Sequence, residues 1–221
     1  MPPVRFLCAF VALSLLVTGT PTSAESIGIN FESGGRSGNV DSKVTSSAGV
    51  VPQGNWNNVT GETASASILR NDQNAITTAT VSWEANNSWT VINEAHSGGD
   101  DGLMNAYLDT TDTSVSRITV TNVPYQRYAV IVYMDGDGTD RSGRYTVNGH
   151  VRDPIIDDAN WAFPGSFIEA VSGGDRGNYS RWSGMSGATL TITAQASQIG
   201  SGFRAPINAI QIIGEAPLTP P

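Results

Sequence analysis

Cysteine is almost absent from this chain. Cys8 is the only one, and it lies in a leader-like segment, so the rest of the chain has neither a disulfide nor a thiol for chemistry. Histidine is equally scarce. His96 and His150 are the only two and show no metal-ligand spacing. Lys43 is the only lysine, and 12 basic residues face 20 acidic ones, for a net charge of −8. That balance argues against a nucleic-acid partner and against anionic membrane surfaces. Leucine occurs five times after residue 24, and no segment sustains a helical period over three turns. No G-x-S-x-G nucleophile elbow is present. Long apolar runs are missing too, with one exception near the start.

That exception, Phe6 to Val17, follows Arg5 and precedes Thr22-Ser23-Ala24. It is too short to span a bilayer and has the order of a signal peptide: a basic residue, an apolar run, then small residues at a cut site. Residues 1–24 are therefore expected to be removed. Without Arg5, 11 basic residues face 20 acidic ones and the net charge becomes −9. The expected location is secreted, periplasmic or at the cell surface, with no membrane insertion after cleavage.

The remaining chain is rich in Val, Ile, Thr and Gly and alternates with a period of two. Ala79, Val81 and Trp83 share one face, as do Ile118 and Val120, and Leu190, Ile192 and Ala194. Tyr128 to Met134 is apolar on both faces, which suits a central strand. Strands are expected at 26–31, 42–45, 63–69, 76–84, 89–92, 116–122, 127–134, 143–148, 166–171, 178–183, 188–195 and 207–213. Residues 103–108 suit either a strand or one helical turn, and long loops are expected at 46–61, 94–102 and 149–165. The fold class is all-β: a two-sheet antiparallel sandwich, with one domain at 25–215 and a disordered tail at 216–221.

Four segments resemble the galactose-binding-like jelly roll and the malectin-like sugar-binding domains within it. They are IGINFESGG (27–35), VPYQRYAVIVYMD (123–135), GRYTVNG (143–149) and FRAPINAIQII (203–213). The segments VVPQGNWNN (50–58) and GGDDGLMNAYLD (98–109) also resemble secreted modules of environmental bacteria. The first resemblance implies a jelly-roll sandwich and a carbohydrate ligand.

Sugar binding needs flat aromatic faces for C–H surfaces and polar groups for hydroxyls. Trp56 in GNWNN, Trp161 in DDANWAFPG and Trp182 after Arg181 are candidate platforms. The same indoles would serve equally as plugs that seal the end of the sandwich. Tyr125 is a further candidate. Arg141 and Arg144 flank the acidic loop DGDGTDRSG and suit either sugar hydroxyls or its aspartates. Trp83 is expected in the core, and Trp89 fits either role. Calcium takes six to eight hard oxygens. Asp135, Asp137 and Asp140 form one candidate Ca2+ loop, and Asp100, Asp101 and Asp109 a second; Asp-Gly turns explain the same residues. Asn58, Asn86 and Asn178 match the N-glycosylation acceptor pattern.

No nucleophile–base pair can be named, and no motif pairs Glu32, Glu84, Glu94 or Glu169 as glycosidase carboxylates, so an enzyme is not expected. The leading expectation is a secreted, non-catalytic carbohydrate-binding domain with a glycan or polysaccharide partner. The alternative is a structural or adhesive module that contacts an extracellular protein, and a hydrolase ranks third.

Overall fold

The computed structural model describes residues 24–33, 42–91, 98–199 and 202–215. The expected signal segment, apart from Ala24, and the tail 216–221 lie outside the described residues, as do Glu94 and His96. In chain order the elements are β1 (Ser26–Glu32), β2 (Trp56–Thr60), β3 (Thr63–Arg70), β4 (Ile76–Glu84), β5 (Asn87–Thr90), α1 (Gly99–Asn105) and β6 (Ala106–Asp109). They continue with β7 (Val115–Thr121), β8 (Arg127–Tyr133), β9 (Ser142–Val147), β10 (His150–Ile156), β11 (Tyr179–Ser186), β12 (Thr189–Ala196) and β13 (Ala209–Gly214).

Two sheets form the sandwich. One runs β11-β8-β13-β1-β2 and the other β10-β9-β12-β7-β4-β3, while β5 and β6 form a separate ribbon. Pairing between these strands is antiparallel except between β1 and β2, which run parallel. β1, near the start of the chain, lies beside β13 at its end, with Ile29 opposite Ile210.

The main core lies between the sheets. Ile27, Ile29 and Phe31 of β1 meet Val81 and Trp83 of β4, Ile118 and Val120 of β7, and Leu190 and Ile192 of β12. The five-stranded sheet is covered on its other face as well. There Trp56, Leu103, Met104, Ile131, Tyr133 and Ala209 form a second cluster. β8 explains why its sequence is apolar on both faces: Tyr128, Val130, Val132 and Met134 point into the main core, whereas Ile131 and Tyr133 point into the second cluster.

Several expected elements differ. Residues 42–45 and 166–171 are not strands, although Glu169 makes one isolated bridge to Tyr179. The expected loop 46–61 ends in β2, and the expected loop 149–165 begins with β10. Residues 103–108 divide between α1 and β6. β2 was hidden by its polar sequence, WNNVT. Its asparagines act as extra rungs: the Asn57 amide donates to the Gly28 and Arg70 carbonyls, and Asn58 bonds both the N–H and the carbonyl of Val44. Gly28, opposite Trp56, leaves room for the indole to lie across β1; a Cβ there would sit 2.5 Å from the ring.

Candidate functional site

The β5–β6 ribbon presents one face to a cavity of about 240 Å3. In register, Asn87 lies opposite Asp109 and Trp89 opposite Tyr107. Alternation along each strand puts all four side chains on the same face, and all four line the cavity. The ribbon is fixed to the sandwich by paired backbone bonds between Leu108 and Ile207, of 2.9 and 3.1 Å. The segment leading into Ile207 supplies Arg204, whose guanidinium pairs with Asp109 at 2.9 Å. The loop between β8 and β9 supplies Asp137 and Arg141, which pair with each other. The Tyr107 hydroxyl donates to the same Asp137 oxygen that Arg141 engages, at 3.0 Å. Burial, then the charges of Asp109 and Asp137, push the Tyr107 hydroxyl far up, so it stays a donor. Burial also raises Asp109, against the opposing pull of Arg204. The result is a small polar cavity with an aromatic pair and two arginine–aspartate pairs. A wider depression of about 500 Å3 shares Asn86 with it and is lined by Glu84, Ser114 and Arg117, without an aromatic face.

A second constellation lies at the end of β8. Asp135, Asp157 and Asp158 are 0%, 3% and 1% exposed, and one oxygen from each falls within a common span of 4.8 Å. Asp157 accepts the Gly136 N–H at 2.9 Å and the Asp158 N–H at 2.9 Å. Asp158 accepts from the Asn160 N–H at 2.8 Å and from the Asn178 amide at 2.9 Å. Neither oxygen of Asp135 has a hydrogen-bond partner among the described residues. Burial first, and then neighbouring carboxylates, push Asp135 and Asp157 upward together. At this spacing each ionised pair repels by about 3–4 kcal/mol at an effective dielectric near 20. A proton held between Asp135 and Asp157, or a bound cation, relieves that repulsion.

Most of the expected site residues lie elsewhere. Trp56 is in a strand rather than a loop and is 5% exposed, packed edge-on to Tyr133 at 6.1 Å, so it offers no platform. Trp182 is 5% exposed in β11, with the Arg152 guanidinium stacked 4.4 Å over its ring. Trp161 is 63% exposed and keeps an open face, but it does not line the cavity. Tyr125 precedes β8, whereas Asp137 follows it, so the two occupy opposite ends of a seven-residue strand; Tyr125 packs against the main core. Arg144 is exposed on β9, 3.8 Å from Asp153. Of the expected ligand-binding residues, only Arg141 reaches the cavity.

Neither expected calcium set forms as a unit. Asp137 is held by Arg141 and Tyr107, and Asp140 pairs with Arg176, which leaves only Asp135 facing inward. Asp100 accepts the Gly49 N–H at 2.8 Å, Asp101 is exposed, and Asp109 belongs to the cavity. Of the glycosylation matches, Asn58 and Asn178 have their amides engaged, whereas Asn86 lies at the cavity rim.

Trp89, which the sequence leaves open between core and platform, lines the cavity, whereas Tyr107 and Arg204 were missed as ligand residues, as were Asp157 and Asp158 as partners of Asp135. A signal existed for part of this. The spacing of Tyr107 and Asp109 in AYLD is that of two side chains on one strand face, and Asp157-Asp158 is a paired acidic step like Asp100-Asp101. No local pattern marks Arg204, which reaches the cavity only through the long-range bridge of Leu108 to Ile207.

No protein-family model matches the chain, and none of the curated proteins matches it. Among solved structures, the ANX2 ectodomain from Arabidopsis thaliana is similar over 88% of this chain, at 11% identity and a TM-score of 0.45. The ANX1 ectodomain from the same plant is similar over 52% of this chain, at 8% identity and a TM-score of 0.36. This chain spans 51% and 33% of the length of those two chains, respectively.

Proposed function

We propose that the protein is a secreted, non-catalytic carbohydrate-binding module, and that the cavity at the β5–β6 ribbon is its binding site. The observation that carries this reading is the shared face of Trp89, Tyr107, Asn87 and Asp109, joined by Asp137, Arg141 and Arg204. The half-buried Trp89 offers an aromatic face to the C–H surface of a sugar ring, Tyr107, 3% exposed, forms the floor beneath it, and fixed carboxylates, amides and guanidinium groups suit its hydroxyls. At about 240 Å3 the cavity is smaller than the ~300–1,000 Å3 of sites for drug-sized ligands, so it suits one small polar unit. The adjoining depression beyond Asn86 gives the rest of a longer glycan somewhere to run. Both carboxylates are tied to arginines, an arrangement that fixes hydrogen-bonding groups rather than freeing an acid and a base.

A glycan array with the wild-type protein tests this reading. Saturable binding is expected, and Trp89→Ala should weaken the best ligand at least about tenfold, as loss of a central aromatic contact does. Absence of glycan binding, with a specific extracellular protein captured instead, would favour an adhesive module. Turnover of chromogenic glycosides or esters would make the protein a hydrolase.

A further inference from the structure

We propose that Asp135, Asp157 and Asp158 form a binding site for one Ca2+ ion that ties the loop after β8 to the loop after β10. Their oxygens come from two segments far apart in sequence, yet they lie within 4.8 Å of one another. Two ligands on opposite sides of a calcium ion, each about 2.4 Å away, stand about 4.8 Å apart, so this set fits around a single ion.

The cluster differs from an ordinary acidic surface in two ways. All three side chains are buried, where an uncompensated charge is costly. Asp135 is wholly buried with both oxygens unpartnered among the described residues, whereas Asp157 and Asp158 are oriented by the donors of Gly136, Asp158, Asn160 and Asn178. The protein thus aims two carboxylates from outside and leaves the third for an added positive charge. Each oriented oxygen keeps a further lone pair for a metal. Among the described residues no arginine forms a salt bridge with any of the three carboxylates: Arg141 and Arg176 are paired with Asp137 and Asp140 on the same loop. Oxygen-only ligation favours a hard cation, and carboxylates are among calcium's usual ligands. In a domain without disulfides such an ion takes the place of a covalent staple.

The site also explains how the binding cavity would stay in shape. Asp135 lies two residues before Asp137, so the ion would anchor the root of the loop that carries Asp137 and Arg141. The proposal does not depend on the carbohydrate reading, because its readouts involve no sugar.

The test uses the wild-type mature protein, stripped with EDTA and desalted. Titration with calcium chloride by calorimetry is expected to show one ion per chain. At a hundredfold excess over Kd, the melting temperature should rise by about 5–10 °C in a domain of this size. Asp135→Asn keeps the shape of the side chain and should abolish both effects, whereas Asp140→Asn should leave them unchanged. Gd3+ added to 15N-labelled wild type locates the ion without any variant, which covers the case in which Asp135→Asn does not fold. Broadening should begin at the amides of Asp135, Gly136, Asp157 and Asp158. No saturable calcium binding with an unchanged melt would overturn the proposal, as would binding that survives Asp135→Asn or broadening centred on Asp100 and Asp101.

Discussion

Trp56→Ala removes an indole that is 5% exposed, and urea unfolding should show a loss of about 3–5 kcal/mol. Trp161→Ala removes one that is 63% exposed and should change stability by less than about 0.5 kcal/mol. The two residues sit among similar polar neighbours in sequence, which is why composition could not separate them. What decides is contact at long range: Trp56 has Gly28 beneath it and Tyr133 beside it. Arg204 makes the same point from the other side. Arg204→Ala leaves Asp109, 12% exposed at its side chain, without its cation, and should cost about 1–3 kcal/mol in the same assay. The aspartates of DGDGTDRSG were visible as a cluster but not as a division of labour. Arginines at 141 and 176 claim two of them, and the inward turn at Asp135 separates the third.

At the scale of elements, period and composition located the strands that bury one face and β8, which buries two. β4, β7 and β12 alternate as their sequences predict, and β8 is apolar on both sides because two clusters flank it. β2 was not legible, since its asparagine side chains replace apolar packing with hydrogen bonds to neighbouring backbone. β5 and β6 are four residues each, too short for periodicity to speak, although they build the face on which the candidate site rests. The parallel pairing of β1 with β2 places Trp56 directly over Gly28. Gly28→Ala should therefore destabilise by about 1–3 kcal/mol through overpacking. Combined with Trp56→Ala it should cost less than the sum of the two changes, because the clashing ring is gone. A double-mutant cycle in urea checks both statements.

Across the whole molecule, the two-sheet sandwich was legible because alternation, glycine-rich turns and scarce leucine all point the same way. The site was not, because its residues come from four segments: the 86–89 strand, the 107–111 strand and turn, the 137–141 loop, and Arg204. Only tertiary pairing brings these together, through the Leu108–Ile207 bridge and the return of β13 beside β1. The proposed role rests on this one cavity binding a carbohydrate. Its most direct test is chemical-shift mapping of 15N-labelled protein, titrated with the strongest glycan-array ligand. Saturable shifts are expected to cluster at Asn86 to Trp89, Tyr107 to Thr111, Asp137 to Arg141 and Arg204, and to be absent in Trp89→Ala. Shifts centred on the exposed Trp161, or scattered over the sheet faces with the cavity amides unmoved, would contradict it.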